Sequence, residues 1–450
     1  MSPEDDRPHG SLSVEQVLAL APDPAAAAAA RKLGAVRTWK NLGRSERALW
    51  GECQGSALYQ VRVDLTDLAS KCTCPSRKFP CKHALGLMLL AATTAGAFVE
   101  SPHPEWLAEW IAKRVATAEK KEARAAAPEK APDPEAQAKR AEQRLARVRK
   151  GVDALDLWLA DLTRSGLATV EGQPESFWEA QAARLVDAQA PALASRVRRL
   201  GNSVGGDADW PARLLDEMGR IALLTQALRR IDALPPLLQA DVRQQIGWSL
   251  TQDEVVANGE TLADDWVVMG QWTDDDDRIR VQRSWLVGTR SNRTALVLQF
   301  AAGQAPFGEN LIPGTAFEGE LAFWPSAAPQ RALIRSRTQA ARAWSGGLPG
   351  FDRIDAFLGA VTDAAARQPW FERTAASLRN VTPVHLGARG RWVRDAEGNA
   401  LRVGGRGDSW ALFALSGGAP IDLAAEWDGD RLQPLALVVD GAYHLLWTGV

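Results

Sequence analysis

The spacing of apolar residues changes several times along the chain, and each change predicts a different kind of element. Residues 13–33 favour short helices. Ser13 with Gln16 three positions later has the capping-box pattern, and Asp23 before Pro24 and an alanine run marks a second helix start. The period then shortens to two. Val36–Lys40, Ala48–Cys53 and Ala57–Leu65 predict three strands, divided by the turn stretches Asn41-Leu42-Gly43 and Gln54-Gly55-Ser56. An apolar segment, Ala84–Ala92, follows, and then a short piece holding Trp106 and Trp110.

Residues 117–137 consist of Ala, Glu, Lys and Pro with almost no large apolar side chain, which predicts a flexible linker. Beyond it Leu145, Val148, Val152, Leu155, Leu159 and Leu162 recur at steps of three and four, one face of a long helix. Further helical patterns cover 175–200, 211–232 and 236–248. A stripe interrupted by Gly151 fits one member of a bundle within the chain better than an intermolecular coiled coil.

After about residue 250 the alternation returns to period two, with turn signals at Asp274–Asp277, Ser291-Asn292, Pro325-Ser326 and Glu397-Gly398-Asn399. A helical insertion near 351–380 interrupts it. Of the 18 Trp residues, ten lie between Trp266 and Trp447, where they are expected to fill the sheets rather than form an aromatic ligand platform.

The expected fold is thus α+β and multidomain. N-terminal helices occupy 1–35, a small strand-and-helix module 36–116, the linker 117–137, a helical bundle 138–250, and a Trp-rich mainly-β domain 251–450. With 53 Lys+Arg against 55 Asp+Glu, overall charge demands neither nucleic acid nor membrane. Met1–Leu12 lacks the apolar stretch of a secretion signal, and no segment approaches the roughly 18 apolar residues of a spanning helix, so the expected location is the cytoplasm.

Three of the four cysteines fall within ten positions, too clustered for a disulfide framework and suited to a metal. Cys72-Thr73-Cys74 reads CxC, and six residues later Cys81-Lys82-His83 reads CxH. On an extended chain, residues two apart point to the same side, so Cys72 and Cys74 can face one ion from a strand end. On a helix they diverge, so Cys81 is expected at the turn before the helix and His83 in its first turn, with Pro80 suiting the junction. Three thiolates and an imidazole make a closed tetrahedral set for one structural Zn²⁺, with no position open for a substrate water. Lys71, Lys78 and Lys82 are expected to offset its negative charge. Cys53 is the remaining cysteine, either a buried small hydrophobe or an alternative fourth ligand in place of His83.

The CxC…CxH pattern has Pro75-Ser76 after the second cysteine and a lysine inside the last pair. It follows the stretch Trp50–Tyr59, and together these resemble the SWIM-type zinc finger over residues 36–92. That resemblance implies a ββα module that binds DNA or protein. The layout also resembles bacterial SWIM proteins that work beside MoxR-type ATPases and von Willebrand A-domain partners, which implies a protein partner in an ATPase-containing complex.

Residues 31–90 carry 11 Lys+Arg against 4 Asp+Glu, a local net of +7. Arg77, Lys78 and Lys82 are the candidate contacts for a protein partner or for phosphates of DNA or RNA. The helix predicted over Ala84–Leu90 is apolar nearly all round and is expected in a core, where it cannot read a groove. Residues 251–280 hold 9 Asp+Glu against 2 Arg, a net of −7, with Asp274–Asp277 either a solvated turn or a docking or cation site.

Enzyme signals are weak. Gly201-Asn202-Ser203-Val204-Gly205 matches GxSxG, but a basic helical segment precedes it where a strand is required. His385 and His444 have no nucleophile set by spacing. Gly404–Asp408 contains Arg-Gly-Asp in what reads as an interstrand turn. No phosphate-binding loop or dinucleotide fingerprint occurs. The chain is therefore expected to be a non-enzymatic recognition or adaptor protein without a small-molecule substrate, with nucleic-acid binding as the alternative.

Overall fold

Alternating and helical patterns resolve, in the computed structural model, into twelve α-helices and three sheets among the described residues, 12–76, 78–126, 134–205, 208–248, 250–276, 279–303, 305–404 and 410–446. Helix α1 (Val14–Ala19) carries the reciprocal Ser13–Gln16 capping box. Helix α2 (Pro24–Arg31) is capped by Asp23, whose carboxylate accepts the Ala26 amide at 2.8 Å. Both pack into the core of the module that follows.

That module is a sheet of β1 (Trp39–Arg44), β2 (Ala48–Gln54), β3 (Leu58–Asp64), β4 (Ser70–Cys72) and β5 (Val99–Glu100), ordered β4-β3-β2-β1-β5. Helix α3 (Lys82–Thr93) lies between β4 and β5 in sequence and buries His83–Leu90 against α1, α2 and the sheet. The first strand differs from expectation. Val36–Thr38 form a 3₁₀ turn, and Asn41-Leu42-Gly43 stay inside β1 rather than ending a strand. Asn41 takes a left-handed φ of 51° and the register slips between Lys40 and Gly43, so the turn-forming residues make a bulge. Gly43 is required there because a Cβ would lie 2.3 Å from the Trp50 ring.

Helix α4 (Glu105–Ala126) packs Leu107 and Ile111 on Trp50, and Arg114 pairs with buried Asp64 at 3.2 Å. Helix α5 (Pro134–Ser165) begins eight residues after α4 ends. The Ala, Glu and Lys residues of 117–126 and 134–137 are strong helix formers and continue these two helices, whereas 127–133 of the expected linker lie outside the described residues.

With α5, helices α6 (Glu175–Asp187), α7 (Pro191–Asn202), α8 (Trp210–Arg229) and α9 (Pro236–Ile246) form a bundle. Val148, Val152, Leu155, Leu159 and Leu162 face its core with Leu185, Leu193, Leu214 and Ile221, so the stripe is satisfied within the chain. Gly151 brings α5 close to the end of α6: a Cβ there would stand 2.5 Å from Ala188. Ser203 of the GxSxG stretch sits at the C-terminal end of α7, not on a strand-to-helix elbow.

A short helix, α10 (Gln252–Asn258), leads into the first large sheet: β6 (Glu260–Asp276), β7 (Ile279–Gly288), β8 (Thr294–Ala302), β9 (Thr315–Phe323), β10 (Arg331–Arg337) and β11 (Arg342–Ala343). Helix α11 (Ile354–Arg367) separates it from the second: β12 (Thr374–His385), β13 (Arg391–Arg394), β14 (Ala400–Val403), then helix α12 (Trp410–Ser416), β15 (Ile421–Trp427), β16 (Arg431–Val439) and β17 (Ala442–Leu445). The expected insertion near 351–380 is therefore shorter. From Thr374 the chain is strand, because Ala375, Ala376 and Leu378 are drawn into the core between and within the sheets. Asp274–Asp276 lie in β6, paired with Val281, Arg280 and Ile279, and not in a turn as expected, with Asp277 and Arg278 outside the described residues.

The two sheets share a topology that residue patterning alone did not reveal. In the first, β6 pairs with β7 and β9, β7 with β8, β9 with β10, and β10 closes the ring on β8 in parallel. In the second, β12, β13, β14, β15 and β16 repeat every one of these pairings, with β16 parallel to β14. Each is a five-stranded Greek-key barrel of the OB type, in which closure removes exposed edges. Each has its own core, and Met269, Trp285, Leu435 and Ala436 share a third between the barrels. Trp266 and Trp285 are fully buried fillers, and the Trp272 indole N–H donates to Glu426 Oε2 at 2.6 Å.

Candidate metal centre

The β3–β4 hairpin sets the first pair of candidate ligands. Cys72 ends β4 opposite Val61, and extended pairing continues past it: the Thr73 amide donates to Gln60 O at 3.1 Å and the Gln60 amide to Thr73 Oγ1 at 3.0 Å. Cys74, two residues on, therefore points to the same side as Cys72, and its amide donates to Cys72 Sγ at 3.4 Å. Cys81 is the N-cap of α3, its carbonyl accepting the Leu85 amide at 3.0 Å, and His83 is in the first turn. The helix is held in place because the apolar face beyond His83 is buried.

One ligand atom from each of Cys72, Cys74, Cys81 and His83 lies within 4.8 Å of all the others, and Cys72 Sγ is 3.8 Å from His83 Nδ1. A tetrahedron built on zinc–sulfur distances of about 2.3 Å and zinc–nitrogen distances of about 2.0 Å has edges of roughly 3.6–3.8 Å. The four residues thus fit a single zinc ion, with no further protein or solvent ligand needed to complete the set. Cys81 and His83 are buried, Cys72 and Cys74 half-buried. The ion would supply folding free energy here, joining the hairpin to the helix.

Hydrogen bonding around the sulfurs favours the thiolate at Cys81, while Cys72 and Cys74 shift upward. A bond from Cys72, with further help from His83 and the Ala84 amide, lowers the Cys81 pKa to about 4 despite its burial. The same bond, together with desolvation, pushes Cys72 well above the ordinary thiol range. The Tyr59 ring lies against His83 with centroids 4.9 Å apart, and the Tyr59 hydroxyl is 2.6 Å from Ser56 Oγ. Cys53, opposite Tyr59 on β2, is fully buried outside the ligand group, and desolvation raises its pKa. It serves the core as a small apolar side chain.

The three candidate contact residues separate. Arg77 lies outside the described residues. Lys78 Nζ is held 2.6 Å from Asp23 Oδ2, so it braces the loop on the cap of α2. Lys82 is exposed in the first turn of α3, three residues after Phe79, which is 50% exposed. Among the lysines expected to balance the thiolates, Lys78 is thus committed elsewhere. The missed residue is Arg62, a buried cation on β3 whose pKa desolvation lowers, with the charge of Cys72 opposing that shift. Its guanidinium stacks 5.0 Å from Trp106 and donates to the Trp106 carbonyl at 3.1 Å. Alternation along β3 placed Arg62 on a face, but nothing local showed that α4 would cover that face.

The SWIM zinc finger family model matches residues 59–92, which include all four ligands, and the SWIM-associated four-helix bundle domain matches residues 143–246, from α5 to the end of α9. The chain thus carries both domains, and both barrels lie outside the two matches. No curated protein and no solved structure matches the chain. No helix among the described residues is long and apolar enough to cross a membrane.

Proposed function

We propose that this chain, with its SWIM zinc finger and associated bundle, is a non-enzymatic cytoplasmic adaptor whose zinc module presents a rigid knuckle to a protein partner. The observation that carries this reading is the burial of α3 on all sides. The one helix of the module offers no polar face to a groove, which leaves the loop between the ligand pairs as its outward surface. That loop exposes an aromatic ring at Phe79, and the exposed cation Lys82 follows three residues later at the start of α3, a combination suited to an acidic protein surface bearing apolar side chains. The docked bundle and barrels add a large scaffold around it. An ATPase-containing complex is the class of partner that the resemblance to bacterial SWIM proteins implies.

The nucleic-acid reading draws on the local excess of 11 Lys+Arg over 4 Asp+Glu in residues 31–90, and the Lys78–Asp23 pair weakens it. Cross-linking capture from the native cell, followed by partner identification, separates the two. The expected result is a partner recovered by the wild-type chain and lost with Phe79→Ala and Lys82→Glu, both variants keeping their zinc. DNA binding at low salt, falling steeply as salt rises by about 0.9 logarithmic units per released phosphate contact and abolished by changing Arg77, Lys78 and Lys82 to Ala, would replace this reading with the nucleic-acid one.

A further inference from the structure

We propose that the cleft where the helical bundle meets the first barrel binds a phosphate-class oxyanion. The cleft is a cavity of about 220 Å³, with walls from α7, α9, β7, β10 and the segment joining α11 to β12. Four arginines line it, Arg196, Arg283, Arg331 and Arg373, against two carboxylates, Asp241 and Glu372.

Arg196 on α7 is 6% exposed. Its Nη2 donates to Gln245 Oε1 at 2.5 Å and to the Trp370 carbonyl at 3.1 Å, with Glu372 3.4 Å away. Its Nη1, equally buried, makes no hydrogen bond among the described residues. Arg331 lies over the Trp324 ring at 4.0 Å and Arg283 over Trp272 at 5.1 Å. The Nε atoms of both are buried without a hydrogen-bond partner among the described residues. Arg373 approaches the buried Glu426 at 3.6 Å.

The carboxylates on the wall are occupied. Asp241 accepts the Ala327 amide at 2.8 Å, and desolvation raises its pKa. Glu372 is shared with Arg199 at 2.6 Å. Buried cations with unmade hydrogen bonds are costly unless an anion supplies the acceptors. Stacking on tryptophan holds a guanidinium in one plane and leaves its edge free for paired N–H donation, the geometry that suits phosphate oxygens. Counting Glu426, four arginines face three carboxylates, a positive surplus that suits an oxyanion such as phosphate or a phosphate monoester.

Because the walls come from both the bundle and the barrel, the bound anion would tie the two together. Calorimetric titration of the full zinc-loaded chain with inorganic phosphate at low ionic strength tests this, alongside phosphoserine as a monoester and acetate as a control. One saturable phosphate site is expected, together with an unfolding midpoint that rises with phosphate concentration. Arg331→Gln and, independently, Arg283→Gln should each weaken binding about tenfold or more, the effect of losing a charge-assisted hydrogen bond. Asp241→Asn should strengthen it. Tighter binding of phosphoserine assigns the site to an esterified ligand, and tighter binding of phosphate assigns it to the free anion. The proposal is overturned if phosphate gives no saturable heat, if acetate binds equally well, or if both arginine variants retain wild-type affinity with unchanged circular dichroism and zinc content.

Discussion

An excess of a strong chelator at neutral pH unfolds β1–β4 and α3 of the zinc-loaded chain, while the bundle and the barrels keep their structure. In the zinc module, β4 is three residues long, and among the described residues of the loop from Thr73 to Pro80 the Lys78 amide donates to Ser76 Oγ at 3.2 Å. Beyond the apolar core that α3 shares with β2 and β3, the ligand set is what ties β4 and its loop to the helix. In small zinc fingers the metal contributes an apparent 10–16 kcal/mol, against a typical domain stability of about 5–15 kcal/mol. The loss should exceed that from any single core substitution. Hydrogen exchange reads it directly: the amides of Gln60 and Thr73 lose protection on chelation, while those of α5 and β12 do not. Protons compete with the metal for the three thiolates and the imidazole, so lowering the pH should release the ion and reproduce the effect. Retained protection at Gln60 after proven loss of the metal would show that the module folds without it.

Trp370→Ala should separate the bundle from the barrels. Trp370 belongs in sequence to the segment before β12, yet it is 2% exposed within the core of the helical bundle. Its indole N–H donates to the Arg220 carbonyl at 3.2 Å, and its own carbonyl accepts from Arg196 at 3.1 Å. Removing a buried indole leaves a cavity that costs about 3–5 kcal/mol, and here the loss falls on a junction between two folded parts. The expected outcome in denaturant is that unfolding of the bundle, read by exchange at α7 and α8, moves to lower denaturant than unfolding of the barrels. A single unshifted transition would show that the indole is not what couples them.

The metal ligands were legible because their chemistry is local: four residues within twelve positions, with strand and helix spacing on either side. The bundle stripe from Val148 to Leu162 was legible for a similar reason, since helical periodicity reports a buried face directly. Barrel closure was not. Period-two alternation says which face a residue takes and nothing about its partner strand, and the decisive pairings, β6 with β9 and β8 with β10, join residues far apart in sequence. The tandem repeat was hidden by the same blindness, because it lies in pairing order rather than in residues. Trp370 read as one more sheet filler, and only tertiary packing assigns it to the bundle. At Asn41-Leu42-Gly43 the residues that signal a turn also signal a bulge, and the choice was made by continued pairing of β1 with β2.

X-ray absorption at the zinc edge of the intact chain tests most directly whether the centre is closed. One ion per chain with three sulfur neighbours near 2.3 Å and one nitrogen near 2.0 Å, unchanged in Cys53→Ala, is the expected spectrum. A shell containing a water oxygen, or four sulfurs that fall to three in Cys53→Ala, would contradict a closed structural site built from Cys72, Cys74, Cys81 and His83.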